Sequence, residues 1–167
     1  MERFKKLFPE SKKWFGLVIG VAALCYAGAM IPRNISLSPT NSVGAHIFFL
    51  KKHFNKSDLK KNTLVVLPFY THIRPNCWPC MVVKYIKCQA GEKLESKQQL
   101  DFYCNNVYLG TAMTHSSKGV PVKPFHFNGI IPEGKFFAMG VSKNSYDSRY
   151  VGLENIKDVK DIAIPMF

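Results

Sequence analysis

Three segments of this chain hold side chains that could do chemistry together. Ser36-Leu37-Ser38-Pro39-Thr40-Asn41-Ser42 is a run of hydroxyls with one amide. Lys84 is an amine inside Met81-Val82-Val83-Lys84-Tyr85-Ile86, whose neighbours favour burial. Asn144-Ser145-Tyr146-Asp147-Ser148-Arg149-Tyr150 is dense in hydrogen-bonding groups and follows an apolar run ending at Met139-Gly140. Taken singly, each has a plain explanation: a polar linker, a lysine on the outward face of a strand, and a polar hairpin loop held by an Asp–Arg pair. Taken together they offer a hydroxyl nucleophile and an amine base. A serine hydroxyl is weakly nucleophilic at neutral pH and needs an adjacent base. A lysine amine serves only when neutral, and because it ordinarily titrates near 10.4, work at pH 7–8 requires that titration to move down by about 2–3 on the pH scale.

The elements that must position these groups are short strands. Ala45–Leu50, Thr63–Leu67, Met81–Lys87, Asp101–Leu109 and Lys135–Met139 carry aromatic and β-branched residues between Gly, Pro, Asn and Lys clusters. No amphipathic helix of any length competes: Leu94–Leu100 and Glu154–Val159 reach a turn or two at most, and Cys88–Gly91 and Lys118–Pro124 read as loops. The expected fold is mainly β, without repeats.

Ahead of those strands, no residue between Lys13 and Arg33 is charged, and Trp14–Ile31 supplies 18 apolar or small residues, close to the ~20 that cross a bilayer. Arg3, Lys5, Lys6, Lys12 and Lys13 precede it, a basic flank that stays cytoplasmic under the positive-inside rule. The expected organisation is a cytoplasmic N-terminus over 1–13, a transmembrane anchor over 14–31 and an extracytoplasmic β domain over 32–167. A cleaved signal peptide ending at Ala27-Gly28-Ala29 is the competing reading. With 23 Lys and Arg against 11 Asp and Glu the net charge is +12, while 47% of residues are hydrophobic, which excludes a disordered chain. Lys51, Lys52, Lys56, Lys60 and Lys61 are scattered and no DNA-binding motif accompanies them, so the charge fits anionic lipid headgroups and not nucleic acid.

Cys25 falls inside the proposed span, where it acts as a small hydrophobe. Cys77, Cys80, Cys88 and Cys104 remain and allow three pairings. Cys77-Trp78-Pro79-Cys80 is consistent with a structural disulfide, a redox pair, or a zinc site with His72. Its flanks, Arg74-Pro75 and a strand-like run from Met81, differ from the strand-to-helix setting of a redox motif.

In order and spacing the three chemical segments resemble the signal peptidase I family of membrane-bound serine proteases. Val82-Val83-Lys84-Tyr85-Ile86-Lys87-Cys88-Gln89-Ala90-Gly91-Glu92 follows the family's lysine segment, with Tyr85 for Arg and Ala90 for Pro. Pro132-Glu133-Gly134-Lys135-Phe136-Phe137-Ala138-Met139-Gly140 and Asn144–Gly152 match its third segment closely. Within the family the chain looks most like the TraF branch, the conjugative-transfer peptidases that mature pilins. Val43 follows the serine where general leader peptidases carry Met, and Gly140-Val141-Ser142-Lys143-Asn144 has the branch's shorter spacing. Gly44, His46 and Val141 depart from the pattern, standing where Pro, Gly and Asp are usual.

The resemblance implies Ser42 as nucleophile and Lys84 as general base, the latter desolvated by Val82, Ile86 and Met139. It implies Ser145 as the residue that orients the amine. The Ser42 N–H and the Thr40 hydroxyl become oxyanion donors, Asp147 and Arg149 a charge-assisted brace, and His46 a structural residue. The implied function is removal of a leader peptide from a secreted precursor, a conjugative pilin, with cyclisation of the pilin by acyl transfer as an alternative fate of the acyl-enzyme. A general secretory leader peptidase and an inactive membrane-tethered scaffold are the alternatives. No cofactor or metal is called for. The expected partners are the precursor, membrane lipid and type IV secretion components; the expected location is the inner membrane, single-pass, with the catalytic domain in the periplasm.

Overall fold

The computed structural model describes residues 11–70 and 79–166, divided into two compact units, Met1–Ser36 and Leu37–Phe167. Residues 1–10, most of the expected cytoplasmic N-terminus, lie outside the described residues, as do His72 and Cys77. The first unit contains α1 (Ser11–Asn34), a 24-residue helix over the uncharged stretch. Trp14, Phe15, Leu17, Val18, Ile19, Val21, Leu24 and Tyr26 are exposed on it. The side chains of residues 11–13, 27 and 29–33 are not described, and among the described residues no helix is long and apolar enough to cross a membrane.

Strand β1 (Ile35–Leu37) spans the division between the units. The second unit continues with β2 (Ile47–Lys51), β3 (Leu64–Phe69), β4 (Cys80–Gln89), β5 (Lys93–Lys97), β6 (Asp101–Cys104) and β7 (Val107–Thr111). It closes with β8 (Asn128–Ile130), β9 (Lys135–Met139), the short helix α2 (Ser148–Val151), β10 (Glu154–Asn155) and β11 (Asp161–Pro165). The larger sheet runs β2-β11-β3-β4-β9-β10 and the smaller β7-β6-β5-β8, with antiparallel pairing throughout these runs.

Period-two side-chain alternation explains the layering. On β3, Val65, Leu67 and Phe69 join Ile86, Phe136 and Ala138 on one face. Leu64 and Val66 turn to the other, against Val43, Phe48 and Ala163. A strand buried on both faces needs an unbroken apolar run, which Leu64–Leu67 is. On β9, Phe136 and Ala138 face the first cluster, while Phe137 and Met139 face a third, with Leu94, Phe102, Cys88 and Cys104.

The mainly β expectation holds, with local corrections. Asp101–Leu109 is not one strand but the β6–β7 hairpin, broken at Asn105 (φ 47°) and Asn106 (φ 66°); two left-handed residues in a row form the two-residue turn that suits strand twist. Leu94–Leu100 is not helical either: it is β5 followed by a turn through Gln98 (φ 48°) and Gln99 (φ 65°). Glu154–Val159 does contain one helical turn, Ile156–Asp158, after β10. Of the three cysteine pairings open in the sequence, the structure joins Cys88 on β4 to Cys104 on β6, with Cα atoms 5.7 Å apart. Cys80 is disulfide-bonded as well. Cys25 is a free, exposed thiol.

Candidate active site

Ser42 lies in the loop between β1 and β2. The Ser38 N–H donates to the His46 carbonyl at 2.8 Å and the His46 ring Nδ1 lies 3.0 Å from the Ser38 carbonyl, so the loop is closed at its base. Gly44 takes φ +79° with open space around its α-carbon, a left-handed turn that Pro could not make. Val43 and Ala45 are buried on either side of it. The Ser42 carbonyl accepts from the N–H groups of Val141 at 2.7 Å and Ser142 at 3.4 Å, and the Tyr85 hydroxyl donates to the Val43 carbonyl at 3.3 Å. The Thr40 hydroxyl donates to Ser42 Oγ at 3.5 Å, and the Ser38 hydroxyl donates to the Thr40 carbonyl at 3.0 Å.

Lys84 is 3% exposed, which rules out the outward-facing lysine. Its directly opposite neighbour on β3 is Val65, fully buried, and Val82 and Ile86 flank it on the same face of β4. Met139 does not: it stands opposite Tyr85 and packs with the disulfide cluster, so the apolar wall expected from Met139 is built by Val65. Lys84 Nζ donates to Ser145 Oγ at 2.8 Å, and Ser145 is itself 4% exposed.

Gly140 ties the Ser42 segment and the Lys84–Ser145 pair together. A Cβ added there would lie 2.3 Å from Ser145 Oγ and 2.5 Å from the Ser42 carbonyl oxygen. Those two oxygens are therefore no farther apart than the sum of these lengths. The Ser42 main chain, the Ser145 hydroxyl and the Lys84 amine thus meet at the end of β9.

Asp147 and Arg149 form a fully buried pair that stitches this end in place. Arg149 Nε and Nη2 each donate to Asp147 at 2.8 Å, and the remaining guanidinium bonds go to the carbonyls of Thr111, Ser142 and Ser145. Asp147 also accepts from the Gly140 N–H at 2.9 Å and caps α2 through the Arg149 N–H, while Ser148 Oγ accepts from the Ala138 N–H. Burial opposes the charge on Arg149, but the hydrogen bond and charge of Asp147 outweigh it and hold the guanidinium above its ordinary titration range. Sequence reasoning named this pair but missed Gly140, Ser38, Tyr85, Ser142 and the Thr111 carbonyl. Gly140 was signalled as a glycine at the abrupt end of an apolar strand and as the last residue of the family-like segment Pro132–Gly140, but neither showed what it touches. Cys88, Glu92 and Cys104 cluster within metal-binding distance, but the two sulfurs are spent in a disulfide and offer no thiolates.

This is the mainly β fold of the signal peptidases. Over residues 10–165 the chain matches the family described as signal peptidase, peptidase S26, and it belongs to that family of serine endopeptidases, whose substrates are precursors bearing a leader peptide. Among solved structures it is similar to a signal peptidase I from Enterococcus faecalis V583, at 22% identity over 62% of this chain and 94% of that one. The TM-score is 0.39. No curated protein matches the chain.

Proposed function

We propose that the chain is a membrane-anchored leader peptidase of Ser/Lys type in which Ser42 is the nucleophile and Lys84 its base. The observation that carries this is Lys84 itself, a lysine amine buried at 3% exposure and hydrogen-bonded to Ser145 where the Ser42 segment arrives. Burial among Val65, Val82 and Ile86 penalises an ammonium and favours the neutral amine that a base must be. Ser145 directs that amine. Lys84 Nζ takes the Ser42 proton as Oγ attacks the scissile carbonyl. The oxyanion that forms is held by the Ser42 N–H and the Thr40 hydroxyl, and the leaving amine departs with a proton from the lysine. The acyl-enzyme formed in this cut carries the leader, which water releases; cyclising the pilin takes a second cut near its C-terminus, whose acyl-enzyme the pilin's own N-terminal amine attacks in place of water.

The proposed substrate is a pilin precursor of conjugative transfer, supported by Val43 after the serine and the short Gly140–Asn144 spacing. The proposed anchor is the 14–31 stretch, with 32–167 on the periplasmic side of the inner membrane among type IV secretion components. It is supported by the charge-free run and by apolar side chains exposed around α1.

The test is cleavage of a leader-bearing pilin precursor by the full chain in detergent, with mass spectrometry of the product. Ser42→Ala and Lys84→Ala are each expected to lose nearly all activity, since the two groups act as one unit. Lys84→Arg fails too, because guanidinium stays protonated. A Lys84→Ala variant that still processed precursor would sink the assignment, and a product cut from some other precursor class would sink the pilin.

A further inference from the structure

We propose that His46 is a positioning residue for the oxyanion donor Thr40, acting through Ser38. The proposal rests on the Ser42 nucleophile argued above and concerns how its loop is held.

The loop has two unequal halves. The half after Ser42 is fixed from outside, through the Ser42 carbonyl to Val141 and the Val43 carbonyl to Tyr85. The half before it, Pro39–Asn41, shows among the described residues only internal ties. The Ser38 hydroxyl donates to the Thr40 carbonyl at 3.0 Å and lies 3.4 Å from the Thr40 hydroxyl. Where Ser38 goes, Thr40 goes.

Ser38 is located in turn by His46, eight residues on. A carbonyl only accepts, so the 3.0 Å contact from Nδ1 to the Ser38 oxygen fixes a proton on Nδ1. Both the neutral Nδ1–H tautomer and the imidazolium carry that proton, so the contact holds whatever the charge on the ring. With the reciprocal Ser38 N–H to His46 carbonyl bond at 2.8 Å, the two residues close the loop by side chain and main chain together. Gly44, at φ +79° and with nothing within 4 Å of an added Cβ, gives that loop a soft point the closure must offset. The Thr40 hydroxyl stands 3.5 Å from Ser42 Oγ, loose enough that a small displacement of Ser38 takes it out of hydrogen-bond reach.

The oxyanion exists only in the transition state, so a displaced Thr40 lowers kcat and leaves substrate binding alone. The experiment is steady-state cleavage of a leader-bearing precursor by the full chain in detergent, comparing wild type, His46→Ala, His46→Asn and Lys84→Ala across pH. Asn places an amide N–H at the δ position, where Nδ1 stands. His46→Ala is expected to lower kcat about tenfold, with KM within about twofold, and to leave the pH midpoint in place. His46→Asn restores kcat to within about threefold of wild type. Wild-type kcat in His46→Ala overturns the proposal, as does a His46→Asn variant as slow as His46→Ala at unchanged melting temperature. Loss of activity in both His46 variants while Lys84→Ala stays active overturns the Ser/Lys assignment instead and makes the imidazole the base.

Discussion

Gly140→Ala adds one methyl group at the point where the site is tightest. The φ of Gly140 lies outside the left-handed range, so alanine is permitted by the backbone and space is the sole obstacle. The new Cβ would lie 2.5 Å from the Ser42 carbonyl oxygen and 2.3 Å from Ser145 Oγ. Rotation moves the Ser145 hydroxyl away, at the cost of its bond from Lys84, but the Ser145 Cβ, 2.8 Å from the new methyl, does not move with it and its backbone must give as well. The Ser42 carbonyl is backbone, and it must recede by about half an ångström to reach the 3.0 Å that real Cβ contacts keep as a minimum. Either response misaligns the proposed base and nucleophile, and a misplacement approaching 1 Å costs about a hundredfold in rate. Overpacking of this kind also destabilises by about 1–3 kcal/mol. Precursor-cleavage kinetics and thermal melting on Gly140→Ala should show a large loss of kcat with a modest loss of stability. Gly129→Ala is the control, since its Cβ would meet only Phe127 at 3.8 Å. If Gly140→Ala cleaved precursor at wild-type rate, the Ser42 segment would not be seated against β9 as described.

Asp147→Ala leaves the buried Arg149 guanidinium, 3% exposed, without its carboxylate; a stability loss of about 3–5 kcal/mol is expected in denaturant titration. Replacing Cys88 and Cys104 by Ala opens a link between residues 16 apart and should cost about 3 kcal/mol, a difference that disappears when both proteins are measured with reductant, which opens the Cys80 disulfide in each alike. Burial, with the nearby charge of Asp158 adding to it and Lys135 opposing it, pushes the half-buried Glu154 carboxyl from 4.5 up to about 7. Between those values the unfolded chain ionises Glu154 and the folded chain does not, so stability falls as pH rises from 4.5 to 7. Glu154→Gln should match wild type near pH 4.5 and exceed it above pH 7 by on the order of 2 kcal/mol, read as melting temperature across pH.

The chemical groups were the most legible part of the sequence because their residue types have few other uses in such company. A lysine inside Val82–Ile86 is costly unless it is employed, and a loop with Asp147, Ser148 and Arg149 must satisfy many donors. What surrounds them was less legible. Val65 faces Lys84 only through the register of β3 on β4, and Met139 is turned away by its pairing with Tyr85; neither follows from neighbours in sequence. The β5–β6 turn escaped notice because Gln98 and Gln99 adopt left-handed backbone that Asn or Gly usually advertise. The β6–β7 break carried the better signal, Asn105-Asn106, and was still overrun by its apolar flanks. Strand β11 went unseen because Ile162-Ala163-Ile164 is short and ends in Pro165.

The place of β11 has a consequence for when this protease comes into being. It lies between β2 and β3, pairing Ala163 with Leu50 on one side and Ile162 with Val65 on the other. In the sheet, the strand that follows the Ser42 loop therefore reaches β3 and the Lys84 strand β4 by way of a strand made more than a hundred residues later. A nascent chain that has already released Ser42 and Lys84 into solvent still has no sheet connecting them. Pairing so distant is slow and comes late, so the sheet between the Ser42 loop and the Lys84 strand closes only once Asp161–Pro165 has arrived. The last of the described strands to be made is the one that completes the sheet.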